Sequence, residues 1–230
     1  MEQRVDPKIG VVIVAAGSGS RMGGELPKQF RFLGQLPLLA HSINRFAGCY
    51  ERAEIVVVLS ADRVEYWNNL VARLPVANHR VVIGGSERFH SVKSGIDSLS
   101  EGVDIIAVHD AARPFTSTEL IKRCVTGATA DGSAIPTVAV KDSIRQIDGD
   151  TASIALDRSS LRAVQTPQCF DAVVLRRAYR LPYSPLFTDD ASVVESSGER
   201  VWLCEGEHIN FKITTDEDMV VAQTILKQLQ

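Results

Sequence analysis

The amino-acid sequence predicts an α/β fold, a doubly wound, mostly parallel sheet carrying an inserted β-hairpin arm. Short apolar runs rich in valine and isoleucine, at residues 11–16, 54–60, 80–83 and 104–109, have the length and composition of strands buried on both faces. Between them, apolar residues recur at helical spacing, and this alternation marks βα units around a parallel sheet. From Ala139 to Gln168 the alternation stops, and two strand-like runs flank the turn signal Asp148-Gly149.

The first run follows Gly10 and ends at a glycine-rich basic loop, residues 17–28, G-S-G-S-R-M-G-G-E-L-P-K. Glycines let backbone approach a ligand closely, and successive N–H groups in such a loop form an anion-binding concavity. Arg21 and Lys28 add two positive charges, which suits a polyphosphate. Neither common phosphate loop fits. A Walker A loop needs Gly-Lys-Ser/Thr, whereas Lys28 lies between Pro27 and Gln29; the dinucleotide fingerprint fails where Met22 replaces its last glycine. An acidic ribose ligand about 20 residues on is missing too. A plain βα turn with two solvated basic residues would leave the joint presence of strand, spaced glycines, Arg21 and Pro27-Lys28 unexplained.

Leu38, Leu39, Ile43 and Phe46 define a helix over 37–47 with proline at its start. After the strand at 54–60, Asp62 is placed to cap a helix carrying Trp67, Leu70 and Val71. The strand at 80–83 runs into G-G-S-E-R-F-H-S (84–91) and a helix through Val92, Ile96 and Leu99. The strand at 104–109 ends in D-A-A-R-P-F (110–115). Right-handed crossovers bring the carboxyl ends of such strands to one edge, so the loops 17–28, 84–91 and 110–113 converge. In the arm, runs at 138–147 and 152–156 form the hairpin. An isolated hairpin is marginal in water, so a second subunit is its expected partner. The remainder predicts helices at 171–181 and from T-D-D-A-S (188–192), strands at 201–204 and 210–214, and a last helix capped by Thr214 or Thr215 with Glu217 or Asp218. Without repeats, low-complexity tracts or linkers, residues 1–230 are expected to form a single domain with the dimerisation arm at about 138–165.

A net charge of −3 argues against nucleic acid as the main partner. The four cysteines form no C-x-x-C pair and read as reduced thiols of a cytosolic protein. The segment M-E-Q-R-V-D-P-K lacks a signal-peptide core, and no apolar run approaches membrane-spanning length, so a soluble, cytoplasmic protein is expected.

At the convergent loops, Arg21, Lys28 and Lys212 supply cations. Nucleotidyl transfer depends on aligning the attacking and leaving oxygens and on stabilising charge on phosphoryl oxygens. Asp110 is a candidate Mg²⁺ ligand or, alternatively, a turn cap beside Arg113. His109 reads as a packing residue, since a phosphate nucleophile needs no base. No G-x-S-x-G elbow is present, and direct displacement fits better than a covalent intermediate.

The motifs A-A-G-S-G-S-R-M-G with P-K, G-G-S-E-R-F-H-S-V, H-D-A-A-R-P-F, V-K-D-S, D-R-S, Q-T-P-Q, T-D-D-A-S and N-F-K-I-T occur in one order. Together they resemble the methylerythritol phosphate cytidylyltransferases of the non-mevalonate isoprenoid pathway, a Rossmann-like nucleotidyltransferase family. The resemblance runs from Ile9 to the final helix. It implies transfer of a cytidylyl group from CTP to 2-C-methyl-D-erythritol 4-phosphate, with a divalent cation such as Mg²⁺. It implies that Ala15, Ala16, Gly17, Gly19, Arg21 and Lys28 hold the CTP phosphates, Arg21 and Lys28 stabilising the pentacoordinate phosphorus. Gly85, Ser86 and Ser91 would read cytosine and ribose, and Ala111 would lie near the nucleotide. Asp110 would sit near Mg²⁺ and substrate, with Arg113, Thr188 and Lys212 near the polyol phosphate. Ser143 and Arg158 would reach from the arm into the neighbouring subunit's site in a homodimer.

This sequence departs from the family pattern at Ser86, where Asp is frequent, at Ser143, where Thr is usual, and at Asp190, where Glu is usual. Each substitute keeps hydrogen-bonding capacity. Overlapping motifs make ribitol-5-phosphate cytidylyltransferase the nearest alternative, although Ala112 and T-D-D-A-S favour the methylerythritol enzyme. More distant alternatives are an NDP-sugar-forming enzyme and a nucleotide-binding regulatory module; the latter has no reason to keep Arg21, Lys28, Asp110 and Lys212 together.

Overall fold

The computed structural model describes residues 6–17, 26–149 and 151–229. In chain order, β1 (Ile9–Val14) is followed by a small ribbon of β2 (Phe32–Leu33) and β3 (Leu36–Pro37), then α1 (Leu38–Cys49), β4 (Glu54–Leu59) and α2 (Val64–Val71). Next come β5 (Arg80–Ile83), α3 (Arg88–Ser98), β6 (Ile105–Asp110), α4 (Thr118–Asp131) and β7 (Ser133–Ala139). The arm strands β8 (Arg145–Asp148) and β9 (Ala152–Ala155) precede β10 (Arg162–Val164) and β11 (Gln168–Asp171). The chain ends with α5 (Ala172–Ala178), α6 (Asp190–Ser196), β12 (Leu203–Glu205) and α7 (Asp216–Leu229).

The expected mostly parallel sheet is present. β1 pairs in parallel with β4 and β6, and β4 with β5. Beyond β6 the direction changes: β11 lies antiparallel between β6 and β7, while β7 also takes β10 antiparallel and β12 parallel. Helices cover both faces because β1 is apolar at every position. Val11 and Ile13 pack with the buried faces of α1 and α4, and Val12 packs on the other side with α3, α5 and α6. Gly95 lets α3 lie close on the sheet, since a Cβ there would meet Val58 Cγ2 at 3.0 Å. A third cluster, with Leu33, Leu38, Phe115, Ile213 and Met219, seats α7.

Several expectations need correction. Asp62 caps no helix: it pairs with Arg63 at 3.0 Å, and α2 starts from Arg63 without a side-chain cap. Residues 210–214 form no strand. Ile213 N donates to Ala112 O, while the Thr214 amide is taken by Asp218 Oδ2 at 2.7 Å, so no ladder can grow. The single run expected over 138–147 is two pieces, the end of β7 and the start of β8. The sequence pattern does not predict β2, β3, α4, β10, β11 or the body of β7. α4 is held by Ser117 Oγ, which accepts from Leu120 N at 2.9 Å, and by Gly132 at φ +84°. The last helix is capped as expected: Asp218 N donates to Thr215 Oγ1 and Thr215 N to Asp218 Oδ2.

Candidate active site

The parallel strands β1, β5 and β6 end at one sheet edge, where a cleft of about 490 Å³ opens. Its floor is the exit of β1, with Ala15, Ala16 and Gly17; its walls are the 85–91 segment, Asp110 and Ala111 after β6, and Lys212 with Thr214. The described parts of the expected loops therefore converge, residues 18–25 of the first lying outside the described residues. The structure places Ala15, Ala16, Gly17 and Lys28 together with Gly85, Ser86, Ser91, Asp110, Ala111 and Lys212 around this single space. Gly19 and Arg21 lie outside the described residues.

Lys28 opens the 3₁₀ turn Lys28–Phe30, and its Nζ donates to Ile213 O at 3.0 Å. This bond joins the first loop to the 212–214 segment. Gln29, 4% exposed, donates through Nε2 to Ala15 O at 2.6 Å and Gly17 O at 3.1 Å, which fixes the exit of β1. Asp110 stands at the centre. Its Oδ2 pairs with Lys212 Nζ at 2.7 Å, and its Oδ1 lies 3.7 Å from Arg88. Burial by itself would raise the Asp110 pKa, but Arg88 and Lys212 outweigh it and hold the carboxylate well below its ordinary range. Arg88 is anchored from behind by Asp190, fully buried, through bonds of 2.9 and 2.7 Å. Tyr179 donates to the same carboxylate at 2.6 Å.

Beneath Asp110, a buried polar chain fixes the strand end. Asp110 N donates to Thr166 Oγ1 at 3.0 Å, and Thr166 Oγ1 lies 3.0 Å from His109 Nδ1. His109 Nε2 lies 3.2 Å from Arg113 O. These contacts suit a neutral imidazole with its proton on Nε2, and burial lowers the His109 pKa to about 4. Asn210, also fully buried, donates to Thr166 O at 2.9 Å and accepts from Thr116 Oγ1 at 2.7 Å. It thereby positions the chain that delivers Lys212. His109 is the packing residue expected, with no access to a substrate.

Four expected site residues do not line the cleft. Arg113 is buried, and its guanidinium donates to Asn210 O at 2.7 Å and Val164 O at 3.4 Å. Thr188 is exposed just before the Asp189 cap of α6. Ser143 and Arg158 are exposed on the arm, where Arg158 donates to Lys141 O. Conversely, Arg88, Gln29 and Thr214 line the cleft without having been assigned a role. Arg88 stands inside the quoted S-E-R-F-H motif, and Gln29 directly follows Lys28. Their residue types beside assigned positions were the only signal available. Among the described residues, no group of three or more His, Cys, Asp or Glu side chains is arranged to hold a metal. Among the described residues Asp110 and Glu87 are the carboxylates at the cleft, a donor set suited to an ion held mainly by substrate oxygens.

The family model for 2-C-methyl-D-erythritol 4-phosphate cytidylyltransferase matches residues 9–228. The chain belongs to this family. A cytidylyltransferase of that name from Bacteroides fragilis is 41% identical over 216 residues, covering 94% of this chain and 98% of the relative. One from Porphyromonas gingivalis is 43% identical, covering 94% and 96%. The solved structure of 4-diphosphocytidyl-2C-methyl-D-erythritol synthase from Anaerococcus prevotii is 27% identical, covers 96% of this chain and 99% of that one, and superposes with a TM-score of 0.81. This cytidylyltransferase is thus a nucleotidyltransferase enzyme with a Rossmann-like fold, and the ribitol alternative is not favoured.

Proposed function

We propose that the cleft transfers a cytidylyl group from CTP to 2-C-methyl-D-erythritol 4-phosphate, giving CDP-methylerythritol and pyrophosphate, a step of isoprenoid precursor biosynthesis. The observation that carries this reading is the meeting of Lys28, the Asp110–Lys212 pair and the 85–91 segment in one space, in a chain of this family. The triphosphate lies at the Lys28 end, over Ala15, Ala16 and Gly17, with Gly19 and Arg21 supplied by the same loop. Cytosine and ribose lie at the opposite end, against Gly85, Ser86 and Ser91, with Ala111 beside the nucleotide.

A phosphate oxygen of the second substrate attacks the α-phosphorus of CTP. That P–O bond forms as the bond to the bridging β-phosphate oxygen breaks, and pyrophosphate leaves with the electron pair. The nucleophile is already anionic, so no general base is required, in keeping with a buried, neutral His109. Lys28 and Arg21 stabilise the charge on the phosphoryl oxygens. Asp110, itself held by Lys212 and Arg88, orients Lys212 towards the incoming phosphate. Mg²⁺ fits as an ion held by phosphate oxygens and Asp110, where it would supply further charge neutralisation.

The arm completes the site in a homodimer. Among the described residues β8 and β9 pair only with each other, and Ile147 and Ile154 are 71% and 58% exposed. An apolar hairpin so uncovered needs a partner. It leaves the sheet after β7, which runs parallel to β6 across the intervening β11, and so starts from the edge where the cleft lies. Ser143 and Arg158 then serve the partner's cleft; Arg113, whose guanidinium holds Asn210 O, supports the chain that delivers Lys212 to the polyol-phosphate end, and Thr188 stays exposed to that substrate. Residues 1–230 form a single domain with this arm, acting in the cytoplasm. Incubating the protein with CTP, Mg²⁺ and a panel of polyol phosphates tests the reading through pyrophosphate release. Methylerythritol phosphate should give the highest kcat/KM, and no release with it would refute the assignment.

A further inference from the structure

Ser86 lines the cleft and projects its hydroxyl from the segment that precedes α3. Among the described residues, the hydrogen-bond partner of that hydroxyl is His90 Nδ1, at 3.2 Å. The imidazole is not loosely placed. It packs edge-on against Phe89 with centroids 5.4 Å apart, and against Tyr183 at 5.2 Å. Phe89 in turn stacks on Tyr179 and Phe187, at 4.9 and 5.5 Å. His90 also shapes the backbone in front of it: a Cβ at Gly85 would collide with the His90 Cβ. Gly85 N donates to Ser91 Oγ at 3.2 Å, which closes the segment from the other side.

A serine hydroxyl carries one proton and two lone pairs, so by itself it either donates or accepts. It therefore reads poorly the position at which cytosine presents an amino group and uracil a carbonyl oxygen. With the ring proton on Nε2, Nδ1 behind the hydroxyl is an acceptor and removes the ambiguity. It takes the only proton and leaves oxygen lone pairs towards the cleft. We propose that His90 is a specificity-determining positioning residue that fixes the Ser86 hydroxyl as an acceptor, so that this segment selects the exocyclic amino group of cytosine over the carbonyl of uracil. The proposal rests on the nucleotide-binding reading above and deepens it.

The test is a double-mutant cycle on the full chain, with CTP and UTP affinities measured by calorimetry. His90→Ala and Ser86→Ala should each lower the CTP-over-UTP affinity ratio about two- to tenfold, the range expected for one hydrogen bond. The double variant should fall no further than either single one. His90→Asn, whose Oδ1 offers an acceptor near the Nδ1 position, should restore most of the ratio. A ratio indifferent to His90→Ala, or additive losses in the double variant, would overturn the proposal. Ser86→Ala leaves the aromatic packing of His90 in place, so an unchanged ratio in that variant overturns it even if His90→Ala fails to fold. If the unaltered chain binds neither nucleotide, the cytidylyl-transfer reading itself falls; if it binds both and the ratio ignores positions 86 and 90, only the present proposal does.

Discussion

Asp190 shows how a single side chain can belong to a site without touching it. It is 0% exposed, yet Arg88, which it holds through paired hydrogen bonds, reaches the cleft wall and approaches Asp110. Asp190 therefore acts on the structure behind the cleft and not on a ligand. Asp190→Asn should destabilise the fold by about 2 kcal/mol, below the roughly 3–5 of a wholly dry pair because the Arg88 side chain keeps 30% exposure. A urea titration reads that loss as a lower midpoint. His109 gives a second expectation. Its folded pKa is lowered to about 4 against about 6.5 in the unfolded chain, so between these values the unfolded state binds more protons. Stability should thus rise with pH from about 4 to 6.5, by up to about 3 kcal/mol at 1.4 kcal/mol per unit. His109→Gln, which cannot titrate, should flatten this stretch of the profile. Asp110 acts in a separate window: its depressed pKa stabilises the folded state above the usual carboxylate range, and the contribution is lost as pH falls below about 4.

At the level of elements, the chain was easiest to read where burial and local pattern agree. β1, β4, β5 and β6 are short apolar runs that parallel pairing buries on both faces, and their periodicity states their role directly. The second half was harder because its strands owe their existence to partners distant in sequence. Pro136 lies inside β7, and β10 is only three residues long, so neither resembles a strand until the sheet is assembled. Residues 210–214 show the opposite failure. Phe211 and Ile213 alternate with polar residues as a strand would, but the Asn210 amide donates to Glu207 O, its carbonyl accepts from Arg113, and the Thr214 amide goes to Asp218, so the bonds that a ladder would need are taken. The cleft was legible to the same degree. Glycines and lysines announced the loops, whereas Arg88 and Gln29 matter through tertiary bonds to Asp190 and Ala15 that no local pattern reveals. The α7 cap was legible because it is local. Thr215→Ala removes the acceptor for Asp218 N and should cost about 1 kcal/mol, lowering Tm by roughly 2–4 °C in a thermal scan.

For the whole molecule, the decisive question is whether one chain holds a complete site. Lys28 and Lys212 face the cleft of their own chain, while Arg158 and Ser143 stand on the arm with exposed side chains. In the proposed homodimer each cleft takes its loops from one subunit and its arm residues from the other. Lys28→Ala and Arg158→Ala should then each lower kcat/KM by two orders of magnitude or more when carried by both subunits, judging by the loss seen on removing single charge-stabilising donors. In a mixed dimer with one variant of each kind, the two defects fall in the same cleft, because the Arg158-deficient arm serves the Lys28-deficient chain. The other cleft keeps intact loops and receives an intact arm. Co-expressing the two inactive variants under different affinity tags and isolating the doubly tagged species should therefore recover close to half the activity of the unaltered dimer. If each arm instead served its own chain, both clefts of the mixed dimer would be defective and no activity would return. A related measurement isolates the apolar contact: Ile147→Asp with Ile154→Asp should yield a folded monomer by sedimentation, with the far-ultraviolet spectrum retained and turnover lost.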